Sequence, residues 1–428
     1  MQDPVGNKET KSVFDDETLA PIMPELINQT GLTSGFLADL ALKIVSSDSD
    51  CTSERMAENL KLPMGISENL MQHLYREKYI DIRERSGVQR NRYTMLDRGY
   101  DRVQRLLSLN GYIGPAPVTL EDYSEGMRWM RRHTEATDPT SVANAYSHMV
   151  LSEQQLKTLG LIVDSRRSLF LTGPPGCGKT SAAMALNAAI KGEIWIPHAI
   201  EVDGQVIRVF DPHVHQPVDP PDGRYDKRWK KIKRPIVIVG GELTLESMDL
   251  VYAGNVNFYE APFQIKANGG ILIIDDFGRQ RIDPHDLLNR WIIPLENHVD
   301  YLTLHTGKKI EIPFEQLLVF ATNLNTKDFV DQAFLRRMGY RLNFTAPSAD
   351  TYSSILQRYF AFRELNYDPQ FLHSLFIRYE LEGREMKACE SRDLVERCLD
   401  ICKYESLPRR ITVDILDRAW NYYFGVTE

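Results

Sequence analysis

The sequence predicts an α/β fold: a P-loop parallel sheet flanked by helices, with a helical C-terminal lid and an N-terminal winged helix-turn-helix unit. Three observations carry this. Gly173-Pro174-Pro175-Gly176-Cys177-Gly178-Lys179-Thr180 is a complete G-x-x-x-x-G-K-[ST] phosphate loop between an apolar run, Ser168–Thr172, and a helical stretch, Ser181–Ile190. Pro235–Val239, Gly270–Ile274 and Leu317–Ala321 are short apolar runs of the kind buried on both faces of a parallel sheet. From Ala349 the pattern is helical to the end.

Residues 1–30 carry six acids against two lysines and no periodicity, and read as a flexible acidic tail. Phe36–Val45, Thr52–Leu60 and Ser67–Tyr79 then read as helices, Tyr79–Arg83 and Arg92–Leu96 as two strands, and Tyr100–Leu109 as a further helix. This order predicts a winged unit over 31–112, with a partly helical linker over 113–165. The α/β nucleotide-binding region follows over 166–346, and the helical lid over 347–428. Within the α/β region, Ile200–Ile207 predicts a hairpin turning on Asp203-Gly204, and Tyr301–His305 with Lys309–Ile312 a second.

A chain of 428 residues with net charge −8 is too long for one small core and gives no support for bulk nucleic-acid binding. Five irregularly spaced cysteines without a CxxC pair argue against structural disulfides or zinc. No run approaches the ~20 apolar residues of a membrane span, and the N-terminus is unlike a signal peptide. A soluble cytoplasmic protein without membrane insertion is expected.

In the phosphate loop the glycines let successive N–H groups face one phosphate, Lys179 reaches the β/γ oxygens and Thr180 offers a hydroxyl to Mg²⁺. Pro174, Pro175, Cys177 and Ser181 complete the cradle, and the helix starting at Lys179 adds its positive end. Ile271–Ile274 followed by Asp275-Asp276 is a Walker B arrangement. Asp275 can hold Mg²⁺ through water while Asp276 orients or deprotonates the attacking water.

With these motifs in order, residues 150–424 resemble the AAA+ ATPases. The resemblance implies that Asn323, closing Phe320-Ala-Thr-Asn323, is the sensor-1 residue positioning the nucleophilic water. It implies that Arg336 or Arg337, in Asp331–Arg337, is the arginine finger reaching a neighbouring subunit. It also implies that Arg392, in Ser391-Arg392-Asp-Leu394, is the sensor-2 contact of the lid. Asn255–Ile265 and the 301–312 hairpin look like the helix-2 and pre-sensor-1 insertions of the branch that includes MoxR-type ATPases. The implied protein binds and hydrolyses Mg·ATP in a ring-like homo-oligomer, possibly hexameric, and remodels a protein client. Asp276 departs from the glutamate usual in the family, so slow hydrolysis is an expectation too.

Several signals leave two readings open. Arg336 and Arg337 could be solvated charges, and Arg392 could simply pair with Asp393. Cys177 reads as a small side chain rather than a redox switch, and Cys398 and Cys402 as core residues. His213-Val-His215 reads as a loop rather than a metal site. Arg224–Arg234, with seven cations, one acid, Tyr225 and Trp229, is a basic surface loop or a nucleic-acid grip. Tyr252-Ala-Gly254 and Phe258-Tyr259 are pore-loop aromatics or packing residues. Ser67, Asn69, Gln72, His73 and Arg76 on the recognition helix, with Arg83, Arg85, Arg90, Arg92 and Arg98 on the wing, suit DNA. Yet residues 33–112 hold twelve cations against eleven acids, so docking to a protein is equally open.

Overall fold

The computed structural model describes residues 12–86, 90–253, 257–324 and 332–425. Its centre is a five-stranded, fully parallel sheet in the order Ile236–Val239, Ile271–Ile274, Leu317–Thr322, Leu169–Thr172, Tyr340–Asn343. The two central apolar strands are buried along their whole length, as their unbroken composition requires. Because the strands are parallel and in register (Ile274 opposite Phe320, Thr322 opposite Thr172), the phosphate loop, Asp275 and Asn323 all leave the same edge.

A second sheet lies beside the first in the order Val251–Ala253, Phe258–Glu260, Gln205–Arg208, Ala199–Val202, Val118–Thr119. Its hairpin turns at Asp203 and Gly204, both with positive φ, the backbone of a two-residue turn matched to strand twist. The hairpin of Val299–Thr303 and Lys309–Pro313 packs into the same core through Leu302, Ile310 and Ile312.

This second core corrects two expectations. Residues 12–30 are not a free tail: Phe14 is 1% exposed, stacks on Trp129 at 4.7 Å between centroids and meets Trp229 edge-on at 5.3 Å. Leu19 O accepts from Trp195 Nε1 at 3.1 Å. One buried phenylalanine leaves no periodic trace, so only its distant partners reveal that the segment is anchored. The linker also divides: Leu120–Arg132 packs on the second sheet, whereas Pro139–Ala145 and Glu153–Ser165 pack on the phosphate-loop helix, Lys179–Ala189. Tyr146 Oη donates to Ala182 O at 2.9 Å there.

The N-terminal unit comprises helices Ser34–Ser47, Ser53–Leu60 and Met64–Arg76, the antiparallel pair Ile80–Ser86 and Arg90–Met95, and helix Asp97–Leu109. Thr33 and Thr52 cap the first two helices through N–H groups of Phe36 and Arg55. The unit shares its core with the second sheet through Ala199, Val206 and Phe258.

The C-terminal region has four helices, Ala349–Phe362, Pro369–Leu381, Ala388–Tyr404 and Val413–Phe424, closed on their own core. Cys398 and Cys402 lie in it. Buried Glu390 accepts from Tyr379 Oη at 2.7 Å and from the Lys387 N–H at 3.1 Å, which fixes the start of the third lid helix.

Candidate functional site

The phosphate loop needs its glycines. Gly173, Gly176 and Gly178 have φ of +144°, +79° and +93°. A Cβ on Gly173 would sit 2.1 Å from Phe344 O, and one on Gly176 2.5 Å from Cys389 Sγ. Lys179 is buried, and its Nζ turns back to donate to the carbonyls of Gly173 and Pro174, both at 2.9 Å. Among the described residues no carboxylate pairs with it, so its charge is available to an anion lying on the loop. Cys177 Sγ donates to Pro174 O at 2.9 Å, and burial pushes the thiol pKa up, which suits a packing role and not a reactive thiolate.

Asp275 faces the loop. Its Oδ2 accepts from Thr180 Oγ1 at 2.8 Å, and its Oδ1 from the Asp276 N–H at 3.0 Å. Asp276 takes a left-handed φ of +49° and is exposed. Gln280 Nε2 pins this turn by donating to the carbonyls of Asp275 (2.9 Å) and Asp276 (3.2 Å). On the neighbouring strand Thr322 Oγ1 donates to Phe277 O at 2.7 Å, and the next residue, Asn323, has a buried Oδ1 with no hydrogen-bond partner. An orphaned buried acceptor costs roughly 1–3 kcal/mol, and such groups gather where a ligand or water completes the set.

The lid closes over this edge. Cys389 N–H donates to Gly176 O at 3.0 Å, and Arg358 Nη1 donates to the carbonyls of Ser147 (3.0 Å) and Met149 (2.6 Å). Between lid and sheet lies a cleft of about 1220 Å³. Pro175 to Ser181, Asp275, Asp276, Asn323 and Arg392 line it, with Met149, Phe344 and Ile355 as apolar wall. Gly173 and Pro174 sit behind it and act through their carbonyls. Arg392 lines the cleft while its Nε donates to Asp393 Oδ1 at 2.9 Å. Gln280, Arg358 and the Cys389 amide belong to no recurring motif, and no sequence signal announces them.

Arg336 and Arg337 end the helix Gln332–Arg337, and neither lines the cleft. Arg337 is ion-paired with Glu296, whereas Arg336 is exposed and free of ion pairs among the described residues. Asp331 of this motif lies outside the described residues.

Other expectations resolve locally. Tyr252 stacks on His305 at 4.5 Å and Tyr259 is 1% exposed, so these aromatics pack; Gly254 and residues 255–256 lie outside the described residues. His215 is buried, with Nδ1 accepting from the Asp211 N–H at 2.9 Å. On the third helix Asn69, Gln72, His73 and Arg76 form one exposed stripe, but Ser67 is buried and off that face. Arg83 is exposed, Arg92 pairs with Asp50 at 3.3 Å, and Arg98 lies over the Tyr79 ring at 4.9 Å. The side chains of Arg85 and Arg90 lie outside the described residues. No described helix is long and apolar enough to cross a membrane.

Strand order and phosphate loop define a P-loop α/β fold with a helical C-terminal region. Residues 348–422, most of the lid, match the model of a domain of unknown function, DUF8689. No curated protein matches the chain. Among solved structures it is similar to NtrX from Brucella abortus in complex with ADP, at 14% identity and TM-score 0.40 over 64% of this chain and 56% of that one. It is also similar to the RuvB Holliday junction branch migration motor of Thermotoga maritima, at 16% identity and TM-score 0.39 over 64% of this chain and 70% of that one. The chain thus spans little more than half of the NtrX chain.

Proposed function

We propose that this chain is a cytoplasmic ATPase that binds Mg·ATP in the lid cleft and hydrolyses it between subunits of a ring-like homo-oligomer, a hexamer by resemblance. Its work is to remodel a protein partner selected by the N-terminal winged unit. The observation that carries this is the convergence, on one cleft, of Lys179, the Thr180–Asp275 pair and the unsatisfied Asn323 Oδ1. The residues fit the ligand: loop amides and Nζ suit phosphates, and Thr180 with Asp275 would hold the cation. Bound there, Mg²⁺ would neutralise charge on the phosphate oxygens. Asn323 Oδ1 accepts a hydrogen bond from the attacking water, Asp276 takes its proton, Arg392 meets the nucleotide from the lid, and Arg336 serves the neighbouring subunit. Placement in the helix-2-insert, MoxR-like branch belongs to this proposal, supported by the hairpins at 251–260 and 299–313.

Phosphate release by the full chain is expected to require Mg²⁺ and to fall at least about tenfold in Asp276→Asn, a barrier increase of ~1.4 kcal/mol, while calorimetry still shows bound ATP. Partners retained by that variant would identify the client. Were the wild type no faster than Asp276→Asn, the chain would instead be a DNA-bound regulator or loader using ATP as an assembly switch.

The exposed stripe Asn69, Gln72, His73, Arg76 favours that second possibility. Under it, Arg76→Ala and Arg83→Ala should each reduce the salt slope of duplex binding by roughly 0.9. Arg92→Ala should change it less, because Asp50 already offsets that charge. Absence of duplex binding at low salt would leave protein docking.

A further inference from the structure

The basic stretch Arg224–Arg234 takes no part in the lid cleft, and it is not the surface loop its composition suggests. Trp229–Ile232 is a strand antiparallel to Ile194–Pro197, and residues 216–218 bind its other side through Val218 N–H to Lys231 O and Lys233 N–H to Gln216 O, both 3.0 Å. Arg228 is buried in a salt bridge with Asp226 at 2.8 Å. The segment is therefore built and rigid.

Between this ribbon and the end of helix Ser53–Leu60 lies a second, half-open cleft of about 380 Å³. Its floor is aromatic: half-buried Tyr225 faces it and lies against Trp195, the ring centroids 5.2 Å apart, with Trp195 and Trp229 themselves buried beneath. Its rim is cationic. Lys61, Lys227, Lys230 and Lys231 face it against one carboxylate, Asp219. Lys231 pairs with Glu193 at 2.7 Å and Lys230 Nζ lies over the Phe210 ring, 4.5 Å from its centroid, while Lys61, Lys227 and Lys230 have no acidic partner among the described residues. Lys61 caps its helix in a left-handed conformation, so it is presented from a different part of the chain by a fixed backbone. His198, also in the wall, reports the resulting field: burial, then the charges of Lys230 and Lys61, lower its pKa to about 4. It is neutral at pH 7, and its ring nitrogens bond to no described residue.

We propose that this cleft binds a nucleoside phosphate, the base against Tyr225 and the phosphate among Lys61, Lys227 and Lys230, supplied either as a free nucleotide or as one unit of a single strand. The chemistry selects among anions. Inorganic phosphate would leave the aromatic floor unused, a carboxylate-rich peptide has no flat ring to lay on it, and an apolar ligand would leave three cations unmatched. At the small end of the ~300–1,000 Å³ range of ligand pockets, the cleft has room for one nucleotide unit. Aromatic rings beside lysines are the pairing by which single strands are held without reading sequence.

The test uses the full chain and two probes. Fluorescein-labelled dT12 is titrated by anisotropy at several salt concentrations, and AMP is titrated into the Lys179→Ala chain, whose lid cleft is disabled, by quenching of tryptophan fluorescence. One probe or both should bind. Lys61→Glu/Lys227→Glu should weaken that binding at least about tenfold and, for the strand, lower the salt slope by about 1.4, two contacts at ~0.7 each. Tyr225→Ala should weaken it about tenfold, as loss of one stacking partner does. Lys61→Gln/Lys227→Gln, a milder pair, guards against misfolding and should move in the same direction. Strand binding alone identifies a single-strand grip, and AMP binding alone a mononucleotide site; either sustains the proposal. It is overturned if neither probe binds, if these variants change nothing, or if polyglutamate displaces the probe as well as unlabelled dT12 does. The strand titration is independent of the ATPase proposal, whose residues none of the cleft variants touches, and in the AMP titration dependence on Lys61, Lys227 and Tyr225 separates this cleft from the lid cleft.

Discussion

Arg336→Ala is expected to lower ATP turnover by about 10³–10⁵-fold, the range measured for arginine fingers in related phosphoryl transfers, with ATP affinity unchanged. Under the proposed intersubunit site, Arg336 is the candidate finger because it is exposed, does not line the cleft of its own chain and has no ion-pair partner among the described residues, which leaves its guanidinium available to a neighbouring copy. Arg337→Ala should matter less, because that side chain is already committed to Glu296. Phosphate-release assays read the rate and calorimetry the affinity. Mixing Arg336→Ala chains with Lys179→Ala chains should restore part of the activity, since a subunit with an intact loop can then borrow a finger from one that cannot bind ATP. A turnover independent of protein concentration, with no rescue on mixing, would sink the intersubunit site.

Lys179→Ala is expected to abolish measurable ATP binding. Lys179 is the cation of the phosphate loop, and charge-assisted hydrogen bonds are worth roughly 1.5–3 kcal/mol each. Losing two phosphate contacts therefore weakens binding by about 10²-fold or more. The fold should persist, because Gly173 and Pro174, whose carbonyls Nζ now occupies, are themselves half-buried, so that water can replace the lost donor. An unchanged dissociation constant in a chain with unchanged melting temperature would remove the phosphate-loop assignment and, with it, the ATPase proposal.

The candidate site was legible to the extent that it is made of contiguous words. Gly173–Thr180, Asp275-Asp276 and Phe320–Asn323 each carry their chemistry within a few residues, beside an apolar run that announces a buried strand. Arg336 and Arg337 were legible only as a pair; their different surroundings, Glu296 against solvent, separate them. The parts without a motif were hidden. Gln280 clamps the Asp275-Asp276 turn through a side-chain amide, Cys389 touches Gly176 through its backbone, and Arg358 ties the lid to Ser147 and Met149. Backbone contacts and carbonyl partners impose little on residue type, so they leave no pattern to read.

The sequence by itself determined the parallel α/β core, the helical lid and the residues of the phosphate loop, because local propensity, turn chemistry and strand burial agree there. Only the tertiary structure decided the second sheet, which joins residues 118–119, 199–208 and 251–260. It alone placed Phe14 between Trp129 and Trp229, and gathered Lys61 with Lys227 and Lys230 over an aromatic floor. Apart from the 199–208 hairpin, which its Asp203-Gly204 turn announces, those strands have only two or three residues, too few for a period to show. What holds them is burial against partners distant along the chain, a free energy that belongs to the assembled core and to none of the segments alone.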